Sequence, residues 1–129
     1  MGAKRVLIVD DEPDIRMLVV SALRNSEEFV VVAQAADGHQ AIEAATTHQP
    51  DVVLLDIAMP ELSGIAALAT IKSVSPASVV IVLTAYPAET RAEQAFTQGA
   101  DAYMEKNDLV NEMIPALRAA VKRYGDSPG

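Results

Sequence analysis

Carboxylates dominate the residues that could do chemistry in this chain. Asp10, Asp11 and Glu12 stand in a row, Asp56 ends an apolar run, and Thr84 and Lys106 follow two further runs. If the fold gathers Asp10, Asp11 and Asp56 into one cleft, they cannot all stay ionised unless a pKa rises or a cation binds. A hard divalent ion is the simpler answer. Mg2+ takes oxygen ligands, keeps several waters and commonly joins one or two carboxylates to phosphate oxygens. A phosphoryl group held on Asp56 would then need positive charge and donors around its oxygens, which Mg2+, the Lys106 ammonium and the Thr84 hydroxyl could supply. Singly, each residue has a plainer role. Asp10, Asp11 or Asp14 could cap a helix, Thr84 could serve a strand end, and Lys106 could be a solvated charge. Only a fold that brings them together makes the chemical reading the stronger one.

The elements that must do so can be read from apolar patterning. Lys4 to Val9, Phe29 to Ala33, Val52 to Leu55 and Val79 to Leu83 are short apolar runs without alternation, the pattern of strands buried on both faces. Ala100 to Met104 is a weaker fifth strand. Between them fall helical stretches: Asp14 to about Asn25 after Pro13, Ala41 to His48 before Pro50, Ile65 to Val74, and Pro87 to Gln98. Gly99 suits a left-handed C-cap for the fourth. A last helix uses Leu109, Met113, Ile114, Leu117, Ala120 and Val121, with Lys122 and Arg123 near its negative end. Pro115 should kink this helix or push its start toward Asn111.

Five strands alternating with five helices predict an α/β fold, a doubly wound parallel sheet in flavodoxin-like order 2-1-3-4-5. Ligands in such sheets bind beyond the carboxyl ends of the strands where strand order reverses, here between strands one and three. Asp10, Asp11 and Asp56 end those two strands. The length of 129 residues and a hydrophobic content of 50% suit one domain, expected over residues 1–124 with 125–129 as a flexible tail or the start of a linker. The net charge of −8 argues against a nucleic-acid surface. The absence of Cys and of a long apolar run points to a cytoplasmic protein without disulfides, thiolate metal sites or a membrane span.

With these residues in place, the chain resembles the receiver domain of two-component response regulators, from about Lys4 to Tyr124. The resemblance rests on Val9-Asp10-Asp11-Glu12-Pro13, on Leu54-Leu55-Asp56 through Gly64, on Leu83-Thr84-Ala85 and on Tyr103-Met104-Glu105-Lys106. It implies that Asp56 accepts a phosphoryl group from a histidine kinase or phosphotransfer protein. It further implies that Asp10, Asp11, Asp56 and the Ala58 backbone carbonyl hold Mg2+, and that Thr84 and Lys106 bind the phosphoryl oxygens. Tyr103 is implied to turn inward on activation, with Thr84, changing the surface around the last helices. A homodimer through the fourth helix, fifth strand and fifth helix is a further implied partner. Many receivers place a cis proline after the lysine. This chain has Asn107, and a cis non-proline bond costs about 2.5–4 kcal/mol, so a trans Lys106–Asn107 peptide is expected. No DNA-binding domain follows within this sequence, which fits either a single-domain regulator or a piece of a longer one.

A phosphatase that forms an aspartyl phosphate is the main rival, and it too needs a nucleophilic Asp and Mg2+. That family carries a second acid two residues on, where this chain has Ala58, so only self-modification is expected, not turnover. A non-phosphorylatable scaffold is a third reading, opposed by the intact acidic set. The first helix has more apolar residues than one face needs. At about 100° per residue, Val19, Val20 and Leu23 should pack on the sheet. Ile15, Leu18 and Ala22, flanked by Asp14 and Ser21, form a second stripe expected to face water and dock the kinase.

Overall fold

The computed structural model describes residues 2–57, 64–84 and 99–125. Its strands are β1 (Lys4–Val9), β2 (Phe29–Ala35), β3 (Val52–Asp56), β4 (Val79–Thr84) and β5 (Ala102–Glu105). They pair in parallel in the order β2-β1-β3-β4-β5. The described helices are α1 (Pro13–Arg24), α2 (Gly38–His48), α3 (Gly64–Val74) and α4 (Leu109–Ala120). The helix expected over 87–98 lies outside the described residues.

The apolar runs lack alternation because both faces of the sheet are covered. Leu7, Val9, Val53, Leu55, Val80 and Val82 face one core with Ala41 and Ala45 of α2 and Ala67, Leu68 and Ile71 of α3. Their chain neighbours Val6, Ile8, Val52, Leu54, Ile81 and Leu83 face the other, against Val19 and Leu23 of α1 and Leu109, Met113 and Leu117 of α4. Successive side chains of a strand point to opposite faces. A central strand such as β3 therefore has all five residues buried. Each fully buried Leu or Val side chain contributes roughly 1.5–3 kcal/mol of transfer free energy.

Local chemistry fixes the ends. Asp37 caps α2 by accepting the Gln40 N–H at 2.8 Å, and Gln49, at φ 46°, ends it in the left-handed region just before Pro50. Gly99 has φ +116°, a conformation strained for any L side chain, and the helix it was expected to cap lies outside the described residues.

Two expectations need correction. Pro115 does not push the start of the last helix toward Asn111. A 3-10 turn over Lys106–Asp108 leads straight into α4, which begins at Leu109 and carries Pro115 in its interior. Burial of Leu109, Met113 and Leu117 on the sheet outweighs the missing N–H. The stripe Ile15, Leu18 and Ala22 is not laid open to water either. These three side chains are half-buried against the same core as Val19 and Leu23, because α4 lies alongside α1. Val20, expected in the core, is only half-buried, and the exposed large apolar side chain of α1 is Met17 at 68%.

Candidate functional site

Strand register builds the acidic site. Ile8 pairs with Leu54 and Val9 with Leu55. The next residues along the two strands are Asp10 and Asp56, set side by side at their carboxyl ends. Both follow residues of the α1–α4 core, Ile8 and Leu54, so alternation directs both carboxylates toward that side of the sheet. On the far side of β4, Thr84 pairs with Glu105, which delivers Lys106 to the same edge.

Three elements thus converge. The Lys106 ammonium lies 3.0 Å from Asp10 Oδ2, 3.1 Å from Asp56 Oδ2 and 3.7 Å from a Glu12 carboxylate oxygen. Asp10 and Asp56 are almost fully buried and Asp11 half-buried. The β1–α1 turn is fixed from within. Asp10 Oδ1 accepts the Glu12 N–H at 2.9 Å, the Arg16 guanidinium donates to the Asp10 carbonyl at 2.6 Å, and the Glu12 carbonyl accepts the N–H groups of Ile15 and Arg16. Glu12, not Asp10, Asp11 or Asp14, is the N-cap of α1, and its side chain makes no capping bond.

Burial raises the Asp10 carboxyl above the ordinary carboxylate range. The Glu12 N–H and the Lys106 ammonium pull the other way without cancelling it. The Lys106 ammonium is pushed down by burial, but its close contact with the Asp10 carboxylate and the negative charges of Asp56 and Asp10 outweigh this and hold it above the usual lysine value. Lys106 is thus shared between Asp10, Glu12 and Asp56.

For a hard divalent cation these residues fit. Asp10, Asp11 and Asp56 each offer an oxygen, and the three lie within 4.8 Å of one another. Asp10 Oδ2 is buried and, although ion-paired with Lys106, has no directed hydrogen bond. A buried acceptor left in that state is costly unless another positive group reaches it.

Of the site residues read from the sequence, Asp10, Asp11, Asp56 and Lys106 come together. Ala58 lies outside the described residues, as does the side chain of Thr84. Tyr103 is 43% exposed on β5, and the Lys106–Asn107 peptide is trans, as expected. Asp14, Ile15, Leu18, Ser21 and Ala22 all lie on α1, which starts beside the acidic turn. Two site residues carried no assigned role in the sequence. Glu12 was visible only as the third acid of its row. Arg16 gave no signal, because its task is to hold a backbone carbonyl.

Comparison with known proteins agrees with this arrangement. The family model described as the response regulator receiver domain matches residues 6–118. The chain is 41% identical over 121 residues to the transcriptional regulatory protein PdtaR of Mycobacterium tuberculosis, covering 94% of this chain and 58% of that protein. It is 36% identical over 115 residues to the chemotaxis protein CheY of Bacillus subtilis, covering 89% of this chain and 95% of CheY. The response regulator domain of Thermotoga maritima CheB superposes with a TM-score of 0.86 at 28% identity, covering 98% of this chain and 99% of that one. The chain spans between 50% and 58% of the length of the first curated relatives it matches.

Proposed function

The chain belongs to the response regulator receiver domain family, and from that premise we propose that it is a phosphoacceptor signalling module that takes a phosphoryl group from a histidine kinase onto Asp56. The observation that supports this most directly is the place of Asp56. It ends the central strand, at the reversal of strand order, beside Asp10 and 3.1 Å from the Lys106 ammonium.

In this reading an Asp56 carboxylate oxygen attacks phosphorus in line with the donor. The O–P bond forms as the P–N bond of a phosphohistidine breaks, and the electron pair leaves with the imidazole. Asp10, Asp11, Asp56 and the Ala58 carbonyl would hold Mg2+, which when bound would neutralise charge on the phosphoryl oxygens. Lys106 supplies a second positive charge and Thr84 a hydroxyl donor. Hydrolysis then returns Asp56 to its free state. With Ala58 where aspartyl-phosphate phosphatases carry a second acid, no general acid at that position would protonate a leaving group, which supports self-modification over turnover of a free substrate.

The phosphoryl group gives Thr84 a new partner, and Tyr103 turns inward into the space Thr84 leaves. The surface of β5 and α4 changes with it, and a homodimer through that surface is one consequence; the fourth helix expected from the sequence to share it lies outside the described residues. The kinase docks along Asp14, Ile15, Leu18, Ser21 and Ala22 of α1, whose N-terminus adjoins Asp10 and Asp11. Relatives named for transcription and for chemotaxis share this receiver. We therefore assign the surface change to this chain, with no nucleic-acid or membrane contact of its own, and leave no fixed output attached to it. Among the described residues no helix is long and apolar enough to cross a membrane. The test is intact mass after incubation with acetyl phosphate and Mg2+. Wild type should gain one phosphoryl group and Asp56→Asn none; equal gain by both would refute the assignment.

A further inference from the structure

We propose that Glu12 is a positioning residue that receives the Lys106 ammonium when a divalent cation enters the Asp10–Asp11–Asp56 cluster, and so sets the metal affinity of the site. The inference rests on the metal reading above and adds a residue to it. In this structure the ammonium stands against the carboxylate oxygens a cation would need, at 3.0 Å from Asp10 Oδ2 and 3.1 Å from Asp56 Oδ2. A divalent cation entering at those oxygens would meet the ammonium at close range, and their repulsion favours moving the ammonium aside. Lysine can yield. Its charge sits on a flexible four-carbon stem, and it binds as a point charge without fixed geometry.

Glu12 is the third anion within ion-pair distance of that ammonium, at 3.7 Å. It is not one of the three residues whose oxygens cluster within 4.8 Å. Its backbone is anchored, donating to Asp10 Oδ1 and accepting from Ile15 and Arg16, while its side chain is 60% exposed. The carboxylate can therefore follow the ammonium a short way without disturbing the core. Charge also favours the exchange: the cation compensates the three buried or half-buried acids, and the displaced lysine forms a neutral pair with Glu12 at the mouth of the site. Without Glu12, eviction would leave the ammonium without this nearby anion, and the cation would bind less tightly.

A double-mutant cycle on Mg2+ affinity, measured by titration calorimetry on the unphosphorylated protein, tests this. Lys106→Met should tighten Mg2+ binding by about tenfold or more, because a competing charge is gone. Glu12→Gln should weaken binding by roughly three- to tenfold in the wild-type background and by less than about twofold in the Lys106→Met background. An equal loss in both backgrounds would mean that Glu12 acts on the metal directly and would overturn the proposal. Failure of the wild type to bind Mg2+ at all would instead sink the metal reading itself. If Lys106→Met does not fold, NMR of the Lys106 Nζ and Cε resonances gives an independent answer. Mg2+ should shift them in wild type by a path that Glu12→Gln alters, and an identical shift in both proteins would overturn the proposal.

Discussion

Asp10 and Lys106, from opposite ends of the chain, meet with Oδ2 and Nζ 3.0 Å apart, and the contact leaves the carboxylate incompletely satisfied. Among the described residues, the same ammonium is shared between Asp10, Glu12 and Asp56.

Without metal, Asp10 should cost stability at neutral pH. Its folded pKa is raised above the ordinary carboxylate value, burial being the main cause. The protonated group therefore favours the fold below its unfolded pKa, and that contribution is lost as pH rises through the raised folded value. Asp10→Asn, which cannot ionise, should raise the Tm of the metal-free protein at pH 7 by the equivalent of about 1–3 kcal/mol, with the gain vanishing below the ordinary carboxylate pKa. Thermal melts of both proteins across that pH range measure it, and a lower Tm for the variant at pH 7 would contradict the account.

Mg2+ should act in the opposite sense, stabilising the wild type by about 2.7 kcal/mol at a hundred times its dissociation constant. Chelation should reverse the gain and abolish labelling by acetyl phosphate, since an anionic donor is repelled by uncompensated carboxylates. Labelling at an unchanged rate in EDTA would remove the metal from the mechanism.

Thr84→Ala should still accept phosphate but fail to switch, because the phosphoryl group loses the partner whose movement makes room for Tyr103. Tyr103 is 43% exposed in this structure, so an inward turn is measurable. With no Trp in the chain, a fluorinated tyrosine observed by NMR with and without beryllofluoride reads it directly. Equal inward movement in wild type and variant would reject the role of Thr84.

Leu18→Asp should slow phosphotransfer from the cognate kinase by tenfold or more, on the order of 1.4 kcal/mol or above, while leaving acetyl phosphate labelling intact. Because Leu18 is half-buried against the core, a modest fall in Tm is expected as well. Unfolding of the variant, or equal slowing with both donors, would show that the α1 stripe packs the fold and does not dock a partner.

The strands were legible because burial on both faces leaves a mark in sequence: Val52 to Leu55 has no polar residue to alternate with. The meeting of Asp10 with Asp56 was legible through strand order alone, since both end neighbouring strands at its reversal. Side-chain reach was not. That Lys106 touches Asp10 and Glu12 as well as Asp56 depends on register across three strand pairs, which no local pattern encodes. That the last helix would begin at Leu109 despite Pro115 was not legible, because propensity is local and the burial of Leu109, Met113 and Leu117 is not. The helical wheel separated Ile15, Leu18 and Ala22 from the sheet, but a wheel describes one helix and could not include α4 lying beside it.

In the proposed function it is Asp56 itself that carries the phosphoryl group. Treating the acetyl phosphate-labelled, Mg2+-loaded protein with borohydride reduces an aspartyl phosphate to homoserine, which peptide mass spectrometry can locate. Homoserine at residue 56, and not at 10 or 11, is the predicted result. Homoserine at another carboxylate, or none in fully Mg2+-loaded protein, would contradict it.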